Sequence, residues 1–222
     1  MSISMRIRKW WGVAALGCGC LALIGGNAVA GDTSRAPLLD FWTGIPIADG
    51  GTSKITRTDS GVSMQVRANQ LNPGDAYTLW MVVFNYPENC AVPYECLEPD
   101  IENPAVATDV MYVAGNVVGA TGISGFAGHK AIGDNSGSVF PPLFPPGVNP
   151  PGLLNPMGSE IHLIVHTHGP MIPDYMPDMI QTFGGGCVDP GPPFTGLWFP
   201  EWGAQGPNNC LSQQVGVHRV TP

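Results

Sequence analysis

The chain has 222 residues, with nine Lys and Arg against 17 Asp and Glu, and carries a formal net charge of −8. Its hydrophobic content of 44% is too high for a disordered chain. The acidic balance argues against nucleic acid or an anionic membrane surface as the partner. The 30 Gly and 23 Pro residues predict extensive irregular loops.

Residues 1–30 have the pattern of a signal peptide. The pattern consists of a basic start, an apolar stretch and small residues at a cleavage site: Arg6 to Lys9, Trp10 to Ile24, and Ala28-Val29-Ala30. We therefore expect an exported protein, periplasmic or secreted, that begins at Gly31. Lipoprotein attachment at Cys18 is the less favoured alternative, because it would leave a very short apolar region before the cut.

Residues 31–222 have the length of a single domain, and we expect one β-sandwich domain. They hold all 17 acidic residues but only six of the nine basic ones, which gives a net charge of −11. No stretch in this part is apolar for long enough to predict a transmembrane segment.

The first half of this domain predicts strands and one hairpin. Residues 31–37 are small and polar, which indicates a loose N-terminus. A strand is possible over 53–58, and Val62 to Gln70 alternates between apolar and polar residues. Ala76 to Asn85 is apolar on both faces, as in a covered central strand. Because Leu71 to Asp75 has turn chemistry, the two strands that flank it are predicted to form an antiparallel hairpin.

The second half continues the all-β pattern. Asp109 to Val118 and Ile123 to His129 predict a second hairpin, and 215–220 a final strand. Residues 133–158 contain too many prolines for a central strand, and 171–183 allow one or two helical turns. The fold class predicted is an all-β antiparallel sandwich or jelly roll with long Pro/Gly-rich loops and little helix.

Four cysteines remain after the signal peptide: Cys90, Cys96, Cys187 and Cys210. An even number in an exported protein predicts disulfide bonds, and four cysteines allow three connectivities. The lower cost of closing short loops favours Cys90–Cys96 and Cys187–Cys210.

Glu160 to Pro170 concentrates the chemistry of the chain, with three of its five histidines. On a strand, alternate side chains share a face, so the polar face is predicted to carry Glu160, His162, Ile164, His166 and His168. His166 and His168 lie about 6.6 Å apart on such a strand. Two imidazoles at this separation can converge on zinc or copper.

A metal site needs a third ligand, and the candidates are His129 and His218. His162 lies about 13 Å from His166 along a strand and cannot share the metal with His168. It can instead form an acid–base pair with Glu160. The alternative for all these histidines is a polar role on an exposed or rim face.

A second candidate is the aromatic loop between Cys187 and Cys210, which contains Phe194, Trp198, Phe199 and Trp202. These rings can stack on a sugar or a partner, or cover one end of the core as a lid. The lid is favoured because a loop rich in Pro and Gly needs a small core of its own.

The leading hypothesis is a non-catalytic exported protein that binds a small ligand or a protein through its loops and the histidine face. The alternative is a metal-binding protein or metalloenzyme with zinc or copper at the His-x-His pair. The sequence has no Gly-x-Ser-x-Gly nucleophile motif and no glycine-rich phosphate loop.

Overall fold

A computed structural model describes residues 31–140, 150–192 and 194–220. The predicted signal peptide lies outside these residues, as does part of the proline-rich loop. The regular secondary structure of the described chain is mostly strand in antiparallel sheets, which confirms the predicted all-β fold class.

The first sheet has four strands among the described residues, in the order β1-β3-β4-β7. Its strands are β1 (Asp32–Pro37), β3 (Gly51–Thr58), β4 (Gly61–Ala68) and β7 (Ser124–Ala131). All neighbours in this sheet are antiparallel, and β3 and β4 form a tight hairpin in which Thr58 pairs with Gly61.

The second sheet has five described strands, in the order β2-β11-β8-β5-β6. They are β2 (Leu39–Asp40), β5 (Asp75–Phe84), β6 (Thr108–Val117), β8 (Glu160–Pro170) and β11 (Leu211–His218). A short parallel pair, β9 (Cys187–Asp189) and β10 (Asn208–Asn209), comes between β8 and β11 in the sequence. The histidine-bearing strand β8 is central in this sheet, between β5 and β11.

Helix is scarce in the described chain. The α-helix α1 (Met176–Met179) follows a 3-10 turn at Pro173–Tyr175, as predicted for this segment. Other 3-10 turns occur at Pro87–Asn89, Glu98–Glu102 and Pro200–Trp202. None of the helices in the described residues is long and apolar enough to cross a membrane.

The two sheets pack face to face over one apolar core. The first sheet contributes Ile55, Met64, Val66 and Phe126 to it, and the second contributes Leu79, Met81, Leu163 and Val165. These residues alternate along their strands, as a sheet with one face on the core requires.

Both predicted hairpins are wrong, because each turn carries the chain from one sheet to the other. Strand β4 belongs to the first sheet and β5 to the second, and β6 and β7 are divided in the same way. The two crossings lie side by side: Leu71 N donates to Gly122 O (3.0 Å), and Gly74 N donates to Val118 O (2.8 Å). Turn chemistry alone does not distinguish a hairpin from a crossing between sheets.

The N-terminus also differs from the prediction. Asp32–Pro37 is an edge strand that pairs along Gly51–Thr58, and not a loose segment. Its short polar sequence has little apolar alternation because most of its side chains are exposed. The final strand begins at Leu211, four residues before the predicted start.

A second apolar cluster covers the outer face of the second sheet; we call it the outer cluster. The sheet contributes Trp80, Val82, Phe84 and Val110, and the loops contribute Val106, Val139, Phe140, Phe183, Phe194 and Trp202. The aromatic loop is therefore buried as a lid, as favoured from the sequence, but it covers the outer face of the second sheet and not one end of the core between the sheets. Trp202 is buried and its Nε1 donates to Val139 O (2.9 Å).

Two disulfides join Cys90 to Cys96 and Cys187 to Cys210, which confirms the predicted connectivity. The first closes the loop that follows β5, and the second closes the segment that contains the lid. Both pairs are buried. A cover of irregular loops depends on such covalent links, since it has few ladder hydrogen bonds of its own.

We expect Leu163→Ala, in the core between the sheets, to lower the free energy of unfolding by about 2–5 kcal/mol, because it leaves a cavity. Leu197→Ala is the matched control: Leu197 is 43% exposed, and its truncation should change stability by less than about 0.5 kcal/mol. Urea unfolding followed by tryptophan fluorescence measures both. Equal losses in the two variants would contradict the placement of the core.

Candidate functional site

The predicted histidine strand is present and spans Glu160–Pro170, so Gly169 and Pro170, which were expected to end it, are its last two residues. Ile161, Leu163 and Val165 lie in the core between the sheets. The opposite face lies under the outer cluster and is not a rim: Glu160, His166 and His168 are each 0% exposed. Buried polar side chains of this kind are retained where their hydrogen bonds are made or where they bind something.

At the start of the strand, Glu160 and His162 form a close pair. His162 Nε2 lies 2.7 Å from Glu160 Oε1, as expected for neighbours on one face of a strand. The backbone N–H of Cys96 donates to Glu160 Oε2 (3.4 Å), and Arg219 Nε lies 3.9 Å from Oε1. Because Glu160 is enclosed, its carboxylate fixes the orientation of the His162 ring.

An apolar cavity of about 80 Å³ opens beside this pair, on the outer face of the second sheet. Strands β5, β6 and β8 form its floor, and loop residues form its walls: Phe41, Glu98, Ile101, Phe183 and Phe194. His162 and Ser212 are among the few polar residues that line it. The ring of Phe84 packs edge-on against His162, with 5.1 Å between ring centroids.

At the other end of the strand, His168 belongs to a satisfied network. Its Nε2 lies 2.9 Å from Thr78 Oγ1, which accepts a hydrogen bond from Trp80 Nε1 (2.7 Å). Its Nδ1 lies 2.9 Å from Gly185 O. Burial lowers the pKa of His168 to about 4, against a smaller raising effect of the Gly185 carbonyl, so the ring is neutral at pH 7.

His166 is not satisfied in the same way. Its ring stacks on Phe183 with 4.8 Å between centroids, and Nδ1 has only a long contact to Ser212 Oγ (3.4 Å). Its buried Nε2 has no hydrogen-bond partner among the described residues. Burial, and then the neighbouring His168, hold the pKa of His166 well below its usual value. Two neutral imidazoles therefore lie edge-on to each other, with 5.1 Å between ring centroids.

The structure does not bring His129 or His218 to this pair. His129 lies on β7, in the first sheet, and contacts exposed Ser63 (Nδ1 to Oγ, 3.1 Å). His218 lies between the sheets, where its ring nitrogens contact Ser34 Oγ (2.8 Å) and Ser53 Oγ (2.9 Å). Neither histidine therefore supplies the third ligand that was expected from the sequence, because each occupies a different layer of the sandwich from the pair.

The residues that do meet the pair are cysteines of the second disulfide. The ligand atoms of His166, His168 and Cys210 all lie within 4.8 Å of one another. Cys187 Sγ lies 3.6 Å from His168 Nδ1. Sequence reasoning assigned these cysteines to a disulfide alone, since their spacing from the histidines has no recognisable ligand pattern.

A buried carboxyl, Asp109, was also not singled out from the sequence. It accepts hydrogen bonds from Ser138 Oγ (2.6 Å), Gly152 N (2.9 Å) and Val110 N (2.8 Å). Burial raises its pKa to about 6 despite these bonds. Asp109 thereby fixes the two ends of the proline-rich segment to β6.

Comparisons with protein-family models, with characterised proteins and with solved structures find no significant match to this chain.

The pKa shifts predict acid sensitivity. Burial, then Arg57 and His162, lower the pKa of His218 to about 4. Unfolded chains take up the proton near pH 6.5, so the stabilisation from neutral His218 is complete above that pH and is lost as pH falls towards 4. It amounts to at most about 3 kcal/mol. The lowered pKa values of His166 and His168 also make the fold less stable as pH falls. Asp109, with its raised pKa, opposes them between about pH 4 and 6.

We expect His218→Gln to flatten the fall in melting temperature between pH 6.5 and 4, because glutamine can bond the two serine hydroxyls but does not titrate. His129→Gln is the control, and its melting curve should keep the wild-type pH dependence. Calorimetric scans across this range measure both variants. An unchanged slope in His218→Gln would show that His218 is not buried as a neutral ring.

Proposed function

We propose that the protein is an exported, non-catalytic binding protein that holds a small apolar molecule in the cavity on the histidine face. The observation that carries the proposal is the combination of apolar walls with one oriented polar group, His162, at the cavity. Small-molecule sites are concave and mostly apolar, with a few polar groups that fix orientation.

His162 defines the polar end of the ligand. With the Nε2 proton donated to Glu160 Oε1, the lone pair on Nδ1 remains as an acceptor. The described residues provide no hydrogen-bond partner for Nδ1. A ligand with one hydroxyl or N–H donor beside an apolar body therefore complements the site.

The cavity volume limits the size of the ligand. About 80 Å³ is roughly half the 150 Å³ of a cavity that holds benzene. The site therefore fits a short alkyl group, or the edge of a ring whose remainder lies among the loop residues Phe41 and Glu98. The largely apolar lining favours a neutral ligand, for example a small alcohol or phenol.

Export is part of the same proposal. The signal-peptide pattern in residues 1–30 supports it, and so do two disulfides, which form and persist in oxidising compartments.

Metal binding through His166 and His168 stays the second prediction. The buried Nε2 of His166 without a described partner favours it. The third histidine that it required lies in another layer of the sandwich, so other donors must complete the site.

We expect Val82→Phe to fill the cavity and abolish binding of small alcohols and phenol, because Val82 lies in its floor. Val117→Phe is the matched control, at an exposed position near the end of β6, and it should bind like wild type. Titration followed by intrinsic tryptophan fluorescence, to which Trp80 in the cavity lining contributes, measures affinity. Circular dichroism confirms that both variants fold. If wild type binds none of the probes, or Val82→Phe binds them equally well, the proposal fails.

His162→Phe tests the polar end separately. We expect phenol to bind about 5–10-fold more weakly, which corresponds to one lost hydrogen bond. Toluene, which has the ring but no donor, should bind the variant and wild type alike. Equal losses for both probes would assign His162 a packing role only.

A further inference from the structure

We propose that the Cys187–Cys210 disulfide masks a metal site, and that its reduction allows both sulfurs to bind zinc together with His166 and His168. This inference does not depend on the apolar cavity or its ligand. It assigns the sulfur donors that the histidine pair lacks.

Three of the four donor residues already have ligand atoms close to one another, and the fourth, Cys187, lies beside one of them. His166, His168 and Cys210 offer ligand atoms within 4.8 Å of one another, and Cys187 Sγ lies 3.6 Å from His168 Nδ1. The two cysteine Cα atoms are 5.6 Å apart. Two thiolates and two imidazoles are a common tetrahedral donor set for structural zinc.

A second observation points to a ligand at the same place. His166 Nε2 is buried without a described hydrogen-bond partner, in a ring that is 0% exposed. Leaving such a nitrogen unpaired costs about 1–3 kcal/mol. Its neighbour His168 uses both ring nitrogens, so the deficit is specific to the ring beside Cys210.

Thr78 is placed to orient the His168 ring as a metal ligand. Thr78 Oγ1 lies 2.9 Å from Nε2, while Nδ1 faces the sulfur side of the ring. With the proton on Nε2 and donated to Thr78, Nδ1 is free to bind the ion in place of its contact with Gly185 O. Hydrogen-bond partners on the second nitrogen orient metal-binding imidazoles in this way.

Charge balance favours a dication held by both sulfurs. A dithiol reductant supplies two electrons and two protons to the Cys187–Cys210 bond and is itself oxidised to a disulfide, which leaves two thiols. Zinc binding then releases both thiol protons to solvent. One Zn²⁺, two thiolates and two neutral imidazoles sum to zero charge, as a fully buried site requires. While the disulfide is intact, neither sulfur is a thiolate and the site stays closed.

The test compares oxidised protein with protein reduced by a phosphine, using Co²⁺ as the probe and Zn²⁺ as its competitor. We expect reduced wild type to bind about one Co²⁺ with a thiolate-to-cobalt charge-transfer band, and Zn²⁺ to abolish the band. Oxidised protein should show no such band. Zinc should also raise the melting temperature of the reduced protein only.

Variants separate this site from other effects of reduction. Cys90→Ser/Cys96→Ser removes the other disulfide and should leave the cobalt spectrum intact. Cys187→Ser/Cys210→Ser should remove it. His166→Phe keeps the stacking on Phe183 and should weaken binding by more than the roughly 10–100-fold typical of a lost outer-shell partner.

Several outcomes overturn the proposal: no cobalt bound by reduced wild type, stoichiometric binding by oxidised protein, or a band that depends on Cys90 and Cys96. Because the first two comparisons use wild type alone, a variant that fails to fold does not affect them.

Discussion

The burial of strand β8 on both faces is the constraint on which the rest of the structure depends. One face contributes Leu163 and Val165 to the sandwich core, as in any two-sheet fold. The other face carries polar side chains and is nevertheless covered. Each polar group there must find a partner under the cover, and most do: Glu160 pairs with His162, and His168 with Thr78. The sites follow from the groups for which this pairing is incomplete.

The loops that cover the outer face of the second sheet explain the high Gly and Pro content of the chain. A third layer made of helices would need long periodic segments, but this chain uses loops rich in Gly and Pro and places aromatic residues at their contact points. Phe183 touches Trp80, Phe194 and Trp202, so one ring connects the sheet to the lid. The disulfides hold the two loop systems closed. Because irregular loops pack less regularly than helices, an apolar cavity remains beneath them.

Local patterns made most strands and both disulfide pairings predictable, but they did not identify which strands pair with one another. The course of β8 as far as His168 follows from alternation, and both cysteine pairs follow from loop length. The assignment of strands to sheets failed at both turns, although β4 is apolar on one face and β5 on both. One apolar face is typical of a strand in a sheet that faces solvent on one side, and two apolar faces are typical of a strand that is covered on both sides. This difference could have assigned β4 and β5 to different sheets. The approach of Cys210 to His166 had no such signal, since it depends on how β11 pairs with β8.

Access distinguishes the two ends of the histidine face. The His162 side chain is 14% exposed, so a molecule from solvent can reach its ring without a change in the fold. His166 and His168 are 0% exposed and lie beneath Phe183 and the Cys187–Cys210 link. A ligand at that end must enter with local opening, and breaking the disulfide is the chemical change that both loosens the cover and creates thiolate donors. One strand therefore presents an open end suited to neutral small molecules and a closed end suited to an ion, and the difference arises from what covers it.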